Sequence, residues 1–175
     1  MEWKWERAGK LLKVPIGEYL EEIIKGERAL GREVKVSIGT DSQRDGRGYK
    51  FATVIAIISR EHLGKGVYVG RGGKMIYADY KLNMFTKNKE GVNERMIAEV
   101  GKSIEVAIEL TPLLNDYGIK LEIHADINPD PQWESNKALS NAVGYILGMG
   151  YDFKVKPNAF TASYCGDKYA NGKKG

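Results

Sequence analysis

The first clear pattern along the chain begins at Ile16, where Ile16, Tyr19, Leu20, Ile23 and Ile24 recur three and four residues apart. That spacing makes one apolar stripe and predicts a helix, ended by Gly26 or Gly31. From Glu33 the period drops to two. Val34, Val36 and Ile38 alternate with polar residues as far as Asp41, and Asp45-Gly46-Arg47-Gly48 breaks the run, as a strand feeding a turn does. Residues 51–58 are apolar at almost every position, which predicts a strand covered on both faces and therefore central in a sheet. After a glycine-spotted stretch, the β-branched and aromatic residues of 75–82 predict a third strand. Short connections between the three imply an antiparallel meander.

The helical period returns at Asn93, a suitable N-cap, with Ile97, Val100, Ile104, Ala107, Ile108 and Leu114 spaced along a long amphipathic helix that stops at Tyr117-Gly118. Residues 120–126 form a fourth strand running into Asn128-Pro129-Asp130-Pro131. Residues 135–148 read as a further helix, with Leu139, Ala142, Val143, Ile146 and Leu147 on one side. A fifth strand at 153–156 is stopped by Pro157, residues 161–170 form a short terminal helix or turn, and 172–175 a frayed tail. Antiparallel strands followed by strand-helix-strand crossovers give an α/β protein. The expected sheet is mixed and five-stranded, three antiparallel strands then two parallel, with helices on both faces. Residues 1–32 are expected to be a helical lead-in packed on a single domain formed by residues 33–175.

Composition agrees with one globular domain: 175 residues, 42% hydrophobic and 29% charged, argue against disorder and against a second full domain. No apolar run approaches the ~20 residues that span a bilayer, and the first residues lack the basic-then-apolar layout of a signal peptide. A cytoplasmic protein without a membrane partner is the expectation. The single cysteine, Cys165, makes no internal disulfide and no zinc-finger spacing.

The common catalytic motifs are missing. There is no P-loop, the glycines at 66, 70, 72 and 73 do not make a dinucleotide fingerprint, and neither the zinc-protease helix nor the serine-hydrolase elbow occurs. What remains is a set of carboxylates near the ends of elements: Asp41, Glu99, Asp126 and Asp167. If the first and fourth strands are parallel neighbours, Asp41 and Asp126 lie side by side. Clustered carboxylates raise one another's pKa unless a cation neutralises them, and oxygen-rich clusters suit Mg²⁺ or Mn²⁺. Each residue also has an ordinary reading. Asp41 and Asp126 sit in turn-forming sequence, Glu99 is one of several helix glutamates, and Asp167 is placed to cap a terminal turn. His124 reads as a strand residue pairing with backbone or packing, and Cys165 as an inert buried thiol. Trp3, Trp5 and Trp133 suit either base stacking or the core.

Ile38-Gly39-Thr40-Asp41-Ser42-Gln43, Glu122-Ile123-His124-Ala125-Asp126-Ile127-Asn128-Pro129, Gly144-Tyr145-Ile146 with Gly148-Met149-Gly150-Tyr151, Lys154-Val155-Lys156-Pro157, and Ala162-Ser163 with Asp167-Lys168 together resemble the YkuK-type family of RNase H-like nucleases. The resemblance runs from about Ile16 to Tyr169 and implies an RNase H-like fold. The wider superfamily carries one carboxylate on its first strand, one on its first crossover helix, one at the end of its fourth strand and one on a late helix. These correspond to Asp41, Glu99, Asp126 and Asp167, with Glu94 as an alternative on the helix. Ser42 stands where typical RNase H has glycine after the aspartate. The implied activity is a metal-dependent nuclease acting on RNA, DNA or their hybrid. Asp41 would bridge two Mg²⁺ or Mn²⁺ ions about 4 Å apart, with Glu99 and Asp126 on one and Asp167 on the other. Lys156, Lys168 and His124 are candidates for contacting phosphates or moving protons. The rival is a non-catalytic RNA- or protein-binding module on the same fold. An actin-like ATPase of this superfamily needs two such domains and phosphate loops that the chain lacks.

Charge fits a nucleic-acid partner without requiring one. Lys and Arg total 27 against 23 Asp and Glu. Residues 44–74 hold seven basic and two acidic residues, 75–151 seven and eleven, and 152–175 five and two. A basic turn region and a basic C-terminal segment flanking an acidic centre are the expected arrangement.

Overall fold

A computed structural model describes residues 3–46, 48–82, 89–127 and 135–170, without the side chains of 89–93, 135–139, 141, 142, 164, 167 and 168. Among the described residues, seven strands form one sheet in the order β2-β1-β5-β4-β3-β6-β7. They are β1 (Glu6–Arg7), β2 (Lys10–Leu11), β3 (Glu33–Asp45), β4 (Gly48–His62), β5 (Tyr68–Leu82), β6 (Leu121–Ala125) and β7 (Asp152–Lys154). The five expected strands are present: β3, β4 and β5 make the antiparallel meander, and β6 and β7 join β3 in parallel.

The sheet is nevertheless seven-stranded rather than five-stranded. Two-residue strands are too short to show a period. What makes them strands is the reversal at Ala8-Gly9, both at positive φ, and the pairing of Glu6 with Tyr77 on β5. The lead-in therefore extends the sheet as well as supplying a helix. Strand β5 also starts earlier than the side-chain pattern suggests, because Gly70, Gly72 and Gly73 pair with the distal half of β4 while offering no side chains to alternate.

Strand β4 is central, and Phe51 to Ile57 is buried without interruption, so its unbroken apolar run records cover on both faces. One face carries α1 (Ile16–Ala29), α2 (Lys89–Asp116) and α3 (Ser135–Gly148). Leu20, Ile24, Val36, Ile38, Ile55, Ile57, Val100, Leu110, Leu114, Ile123 and Ile146 fill the core between. On the other face Ala52, Val54 and Tyr77 meet Cys165, Tyr169 and Ala170 of the C-terminal segment, a π-helical stretch (Thr161–Gly166) followed by α4 (Asp167–Ala170). Tyr169 stacks on Tyr77 with centroids 3.8 Å apart.

Gly31, at φ +71°, follows the end of α1, while Gly26 lies inside the helix. Helix α2 starts at Lys89, upstream of the expected cap at Asn93. Its buried stripe runs through Met96, Val100, Ala107, Leu110 and Leu114, leaving Ile97 and Ile108 exposed. In α3 Ile146 is buried and Leu147 exposed, whereas Leu139 and Ala142 lie outside the described side chains. In both helices the apolar positions outnumber those one face can bury, so spacing alone does not fix which face turns inward. No helix among the described residues is long and apolar enough to cross a membrane.

Candidate functional site

Strand alternation sorts β3 into two sets. Val34, Val36, Ile38 and Thr40 face the helices, while Ser37, Gly39 and Asp41 face the C-terminal segment. On that second face the approach is unusually close. A Cβ on Gly39 would lie 2.5 Å from the Ala162 nitrogen, and one on Gly166 would lie 2.8 Å from the Asp41 Cβ. Glycine at both positions is what lets the π-helical stretch lie directly on the strand. Its start is fastened by a 2.7 Å hydrogen bond between the Ser37 and Thr161 hydroxyls, and by the Thr161 N–H donating to His124 Nδ1 at 3.3 Å.

Asp41 does not end its strand. It lies within β3, paired with Ala52 of β4, and is buried. On the other side β6 pairs in parallel only as far as Thr40 opposite Ala125. Asp41 and Asp126 thus leave the β3–β6 ladder as neighbours, at the point where one strand stops and the other continues. This is the side-by-side placement expected of parallel neighbours. Asp126, partly exposed, accepts a hydrogen bond from the Ser163 hydroxyl and pairs with Lys156 Nζ at 3.0 Å, both at Oδ1. Gln43 Nε2 lies 3.5 Å from Asp41 Oδ2.

Glu99 reaches the same end of the sheet from α2, on the opposite face. It is 7% exposed, whereas Glu94 is open to solvent. Its Oε1 accepts a 2.6 Å hydrogen bond from Ser42 Oγ, itself fully buried, and Arg95 Nε is 3.8 Å away. Burial pushes the Glu99 carboxyl up to about 7, against the Ser42 hydrogen bond and the Arg95 charge and with a further push from Asp41 and Asp126. Beneath it, the Thr40 hydroxyl bonds those of Thr53 and Ser103, both at 2.9 Å, and Ser103 donates to the Glu99 carbonyl at 3.2 Å. This buried hydroxyl chain ties α2 to the sheet at the depth that brings Glu99 to Ser42. Ser42, flagged only as a departure from the usual glycine, is therefore the direct partner of the helix carboxylate. Thr40 lies in the Ile38–Gln43 motif, but Thr53 and Ser103 carry no sequence signal, because single hydroxyl residues in apolar surroundings have no diagnostic spacing.

Asp167 opens α4 immediately after Gly166, so its backbone follows the residue that touches Asp41; its side chain, like that of Lys168, lies outside the described ones. Trp133 also falls outside the described residues. Trp5 is in the core and stacks with Trp3 at 5.3 Å. Cys165 is buried as expected. His124 is buried too. Burial lowers its pKa against the raising effect of Glu122, and with Nδ1 accepting from Thr161 the proton sits on Nε2, 3.2 Å from Glu122.

The oxygen donors of Asp41, Glu99 and Asp126 have the chemistry of a hard divalent cation site. Among the described residues, however, no group of three or more His, Cys, Asp or Glu stands ready to hold a metal ion. Glu99 turns to Ser42 and Asp126 to Ser163 and Lys156, so each carboxylate has another partner. The expected basic track divides as well. Lys50, bound to Asp79 at 2.7 Å, lies on the Asp41 face, whereas Arg60, Arg71 and Lys74 sit in the distal part of the β4–β5 hairpin and pair with Glu33, Glu61 and Glu27. Arg28, Arg32, Lys35, Arg60 and Lys120 line a cavity of about 570 Å³ at that far end, together with Glu33, Glu122 and Asp152.

The model of the Ribonuclease H-like family matches residues 17–171, and the chain belongs to that family. The match takes in β3, α2 and the C-terminal segment, which carry Asp41, Glu99 and Asp167, and β6, which Asp126 directly follows. Comparison with curated proteins and with solved structures returned no match.

Proposed function

We propose that the protein is a divalent-metal-dependent nuclease that hydrolyses phosphodiester bonds in RNA, DNA or their hybrid, with Asp41, Glu99, Asp126 and Asp167 holding Mg²⁺ or Mn²⁺. The observation that carries this reading is geometric: the Thr40–Ala125 register sets Asp41 beside Asp126, and the buried Glu99 reaches the same end of the sheet. Burying acidic charge in this way is unfavourable in a structural site, and a divalent cation is the partner that reverses the cost. Two such ions, when bound, would polarise the phosphoryl group, activate water and stabilise the departing oxygen. Pairing with Ala52 of β4 and the close approach of Gly166 fix the backbone and Cβ of Asp41. Ser42 keeps Glu99 turned toward the sheet end until a cation competes for it.

One observation favours the alternative, a non-catalytic binding module: Lys156 already supplies Asp126 with a positive charge. The two readings separate in a cleavage assay on labelled RNA, DNA and hybrid in Mg²⁺, Mn²⁺ or chelator. The nuclease reading expects metal-dependent cleavage leaving 5′-phosphate ends, lost by two orders of magnitude or more, about the scale of removing one charge-stabilising group, in Asp41→Asn and Asp126→Asn. Absence of cleavage of all three substrates in both metals contradicts it.

A further inference from the structure

We infer that Lys156 is an exchangeable counter-charge. It occupies Asp126 while the site lacks cations, and it turns to a backbone phosphate of the nucleic acid when a divalent ion takes its place. The inference rests on the nuclease reading and concerns which residue receives the substrate there.

Three features of Lys156 lead to it. Its backbone is fixed beside the site, since the Lys156 N–H donates to the Ile127 carbonyl at 3.2 Å, one residue from Asp126. Its ammonium group lies 3.0 Å from Asp126 Oδ1, yet its side chain is 50% exposed, so the head is tethered without being enclosed. Asp126 keeps a second donor, the Ser163 hydroxyl on the same oxygen, so loss of the lysine leaves the carboxylate with a neutral hydrogen bond. A half-exposed ion pair is worth little and is readily exchanged. A lysine is a point charge on a flexible stem, suited to following a phosphate oxygen rather than fixing a planar acid.

The ordering of charges follows. A divalent cation and an ammonium ion cannot both sit against the same carboxylate oxygen without repulsion. Arrival of the metal displaces the ammonium group by a few ångströms, the reach of its own rotamers. The group then stands at the rim of the Asp41–Asp126 pair, on the face carrying the C-terminal segment, where the nearest new negative charge is that of a bound phosphodiester. Lys50, the described lysine opposite on this face, is held by Asp79 at 2.7 Å and by the Tyr169 carbonyl at 3.4 Å. Lys156 pairs only with Asp126 among the described acidic residues, and its side chain is 50% exposed against 21% for Lys50.

Lys156 competes with metal and assists substrate, so one substitution should move the two affinities in opposite directions. Mn²⁺ binding to wild type, Lys156→Met and Lys156→Arg would be measured by calorimetry. Binding of labelled single-stranded RNA, duplex DNA and hybrid would be measured by anisotropy in Ca²⁺ across a salt series. Lys156→Met should bind Mn²⁺ about threefold to fivefold more tightly, the scale of a partly exposed ion pair. Its affinity for the preferred nucleic acid should fall, and the salt-dependence slope should decrease by about 1. Lys156→Arg should keep the wild-type slope. A purely structural lysine would leave the slope unchanged. Unchanged or weaker Mn²⁺ binding by Lys156→Met, or an unchanged salt slope, overturns the inference while wild-type Mn²⁺ binding stands. Wild-type protein that binds no Mn²⁺ overturns the nuclease reading and this inference with it.

Discussion

Gly166 rests on Asp41 so closely that a methyl group at position 166 would come within 2.8 Å of the aspartate Cβ and 3.1 Å of its backbone nitrogen. Because Asp167 follows Gly166 directly, the contact couples the course of the C-terminal segment to the strand that carries Asp41. Gly39 does the same two residues earlier, against the backbone of Thr161 and Ala162. The pair of glycines permits this close approach, which the Ser37–Thr161 and Thr161–His124 hydrogen bonds then fasten.

Gly39→Ala should therefore lift the segment. The three atoms nearest the new methyl, all within 3 Å, belong to backbone, so a rotamer change cannot relieve the strain. Denaturant unfolding should show a loss of about 1–3 kcal/mol, the usual cost of overpacking, and limited proteolysis should cut the C-terminal segment sooner. Unchanged stability and unchanged proteolysis would mean that the segment is not pressed on β3.

Removing the Ser42 hydroxyl tests the orientation of Glu99. The Ser42→Ala variant loses a 2.6 Å bond made wholly inside the protein, and about 1 kcal/mol of stability should go with it. Since that bond lowers the Glu99 pKa, the carboxyl should titrate at a higher pH in the variant, which carboxyl-labelled NMR would follow. A midpoint that stays in place would show that Ser42 does not hold the ionised form.

Glu99 also fixes a pH dependence. Its carboxyl ionises near 4.5 in the unfolded chain and about 7 in the folded one. Between these values the unfolded chain releases a proton that the folded one keeps, so the group's contribution to stability falls as pH rises and is fully lost above about 7. The loss is on the order of 3 kcal/mol. Without divalent cations, the stability of wild type relative to Glu99→Gln should decline from pH 4.5 to 7 and then level. A difference that stays constant over this window would contradict the burial argument.

The parts of the fold that sequence periodicity predicts are those where one face is buried over several turns or several strand residues. The stripe of Ile16, Leu20 and Ile24, the alternation of Val34, Val36 and Ile38, and the continuous run in β4 each record their cover directly. The Glu6–Leu11 hairpin left no such record, because two-residue strands pair through backbone alone. At the site, the aspartates were visible by their place beside strands, but the position of Asp41 within β3 depends on where β6 stops, a property of another segment. Gly39 is a letter in the Ile38–Gln43 motif, whereas Gly166 falls between the quoted segments of the C-terminal one. Their purpose, close approach of distant backbone, appears only when residues more than a hundred positions apart meet. Ser42 differs again: it stood out against the family pattern, and its hydrogen bond to Glu99 supplies the physical content of that difference.

If the protein is a metal-dependent nuclease, Asp41 and Asp126, brought side by side by the Thr40–Ala125 register, hold divalent metal. Thermal unfolding of the full chain with and without Mn²⁺ tests it most directly, using wild type and the Asp41→Asn/Asp126→Asn double variant. At about a hundredfold excess over Kd, binding adds about 2.7 kcal/mol, which for a chain of this size raises Tm by about 5–10 °C. The wild-type protein should show that rise and the double variant should not. No rise in the wild type, or an equal rise in both, would contradict the claim.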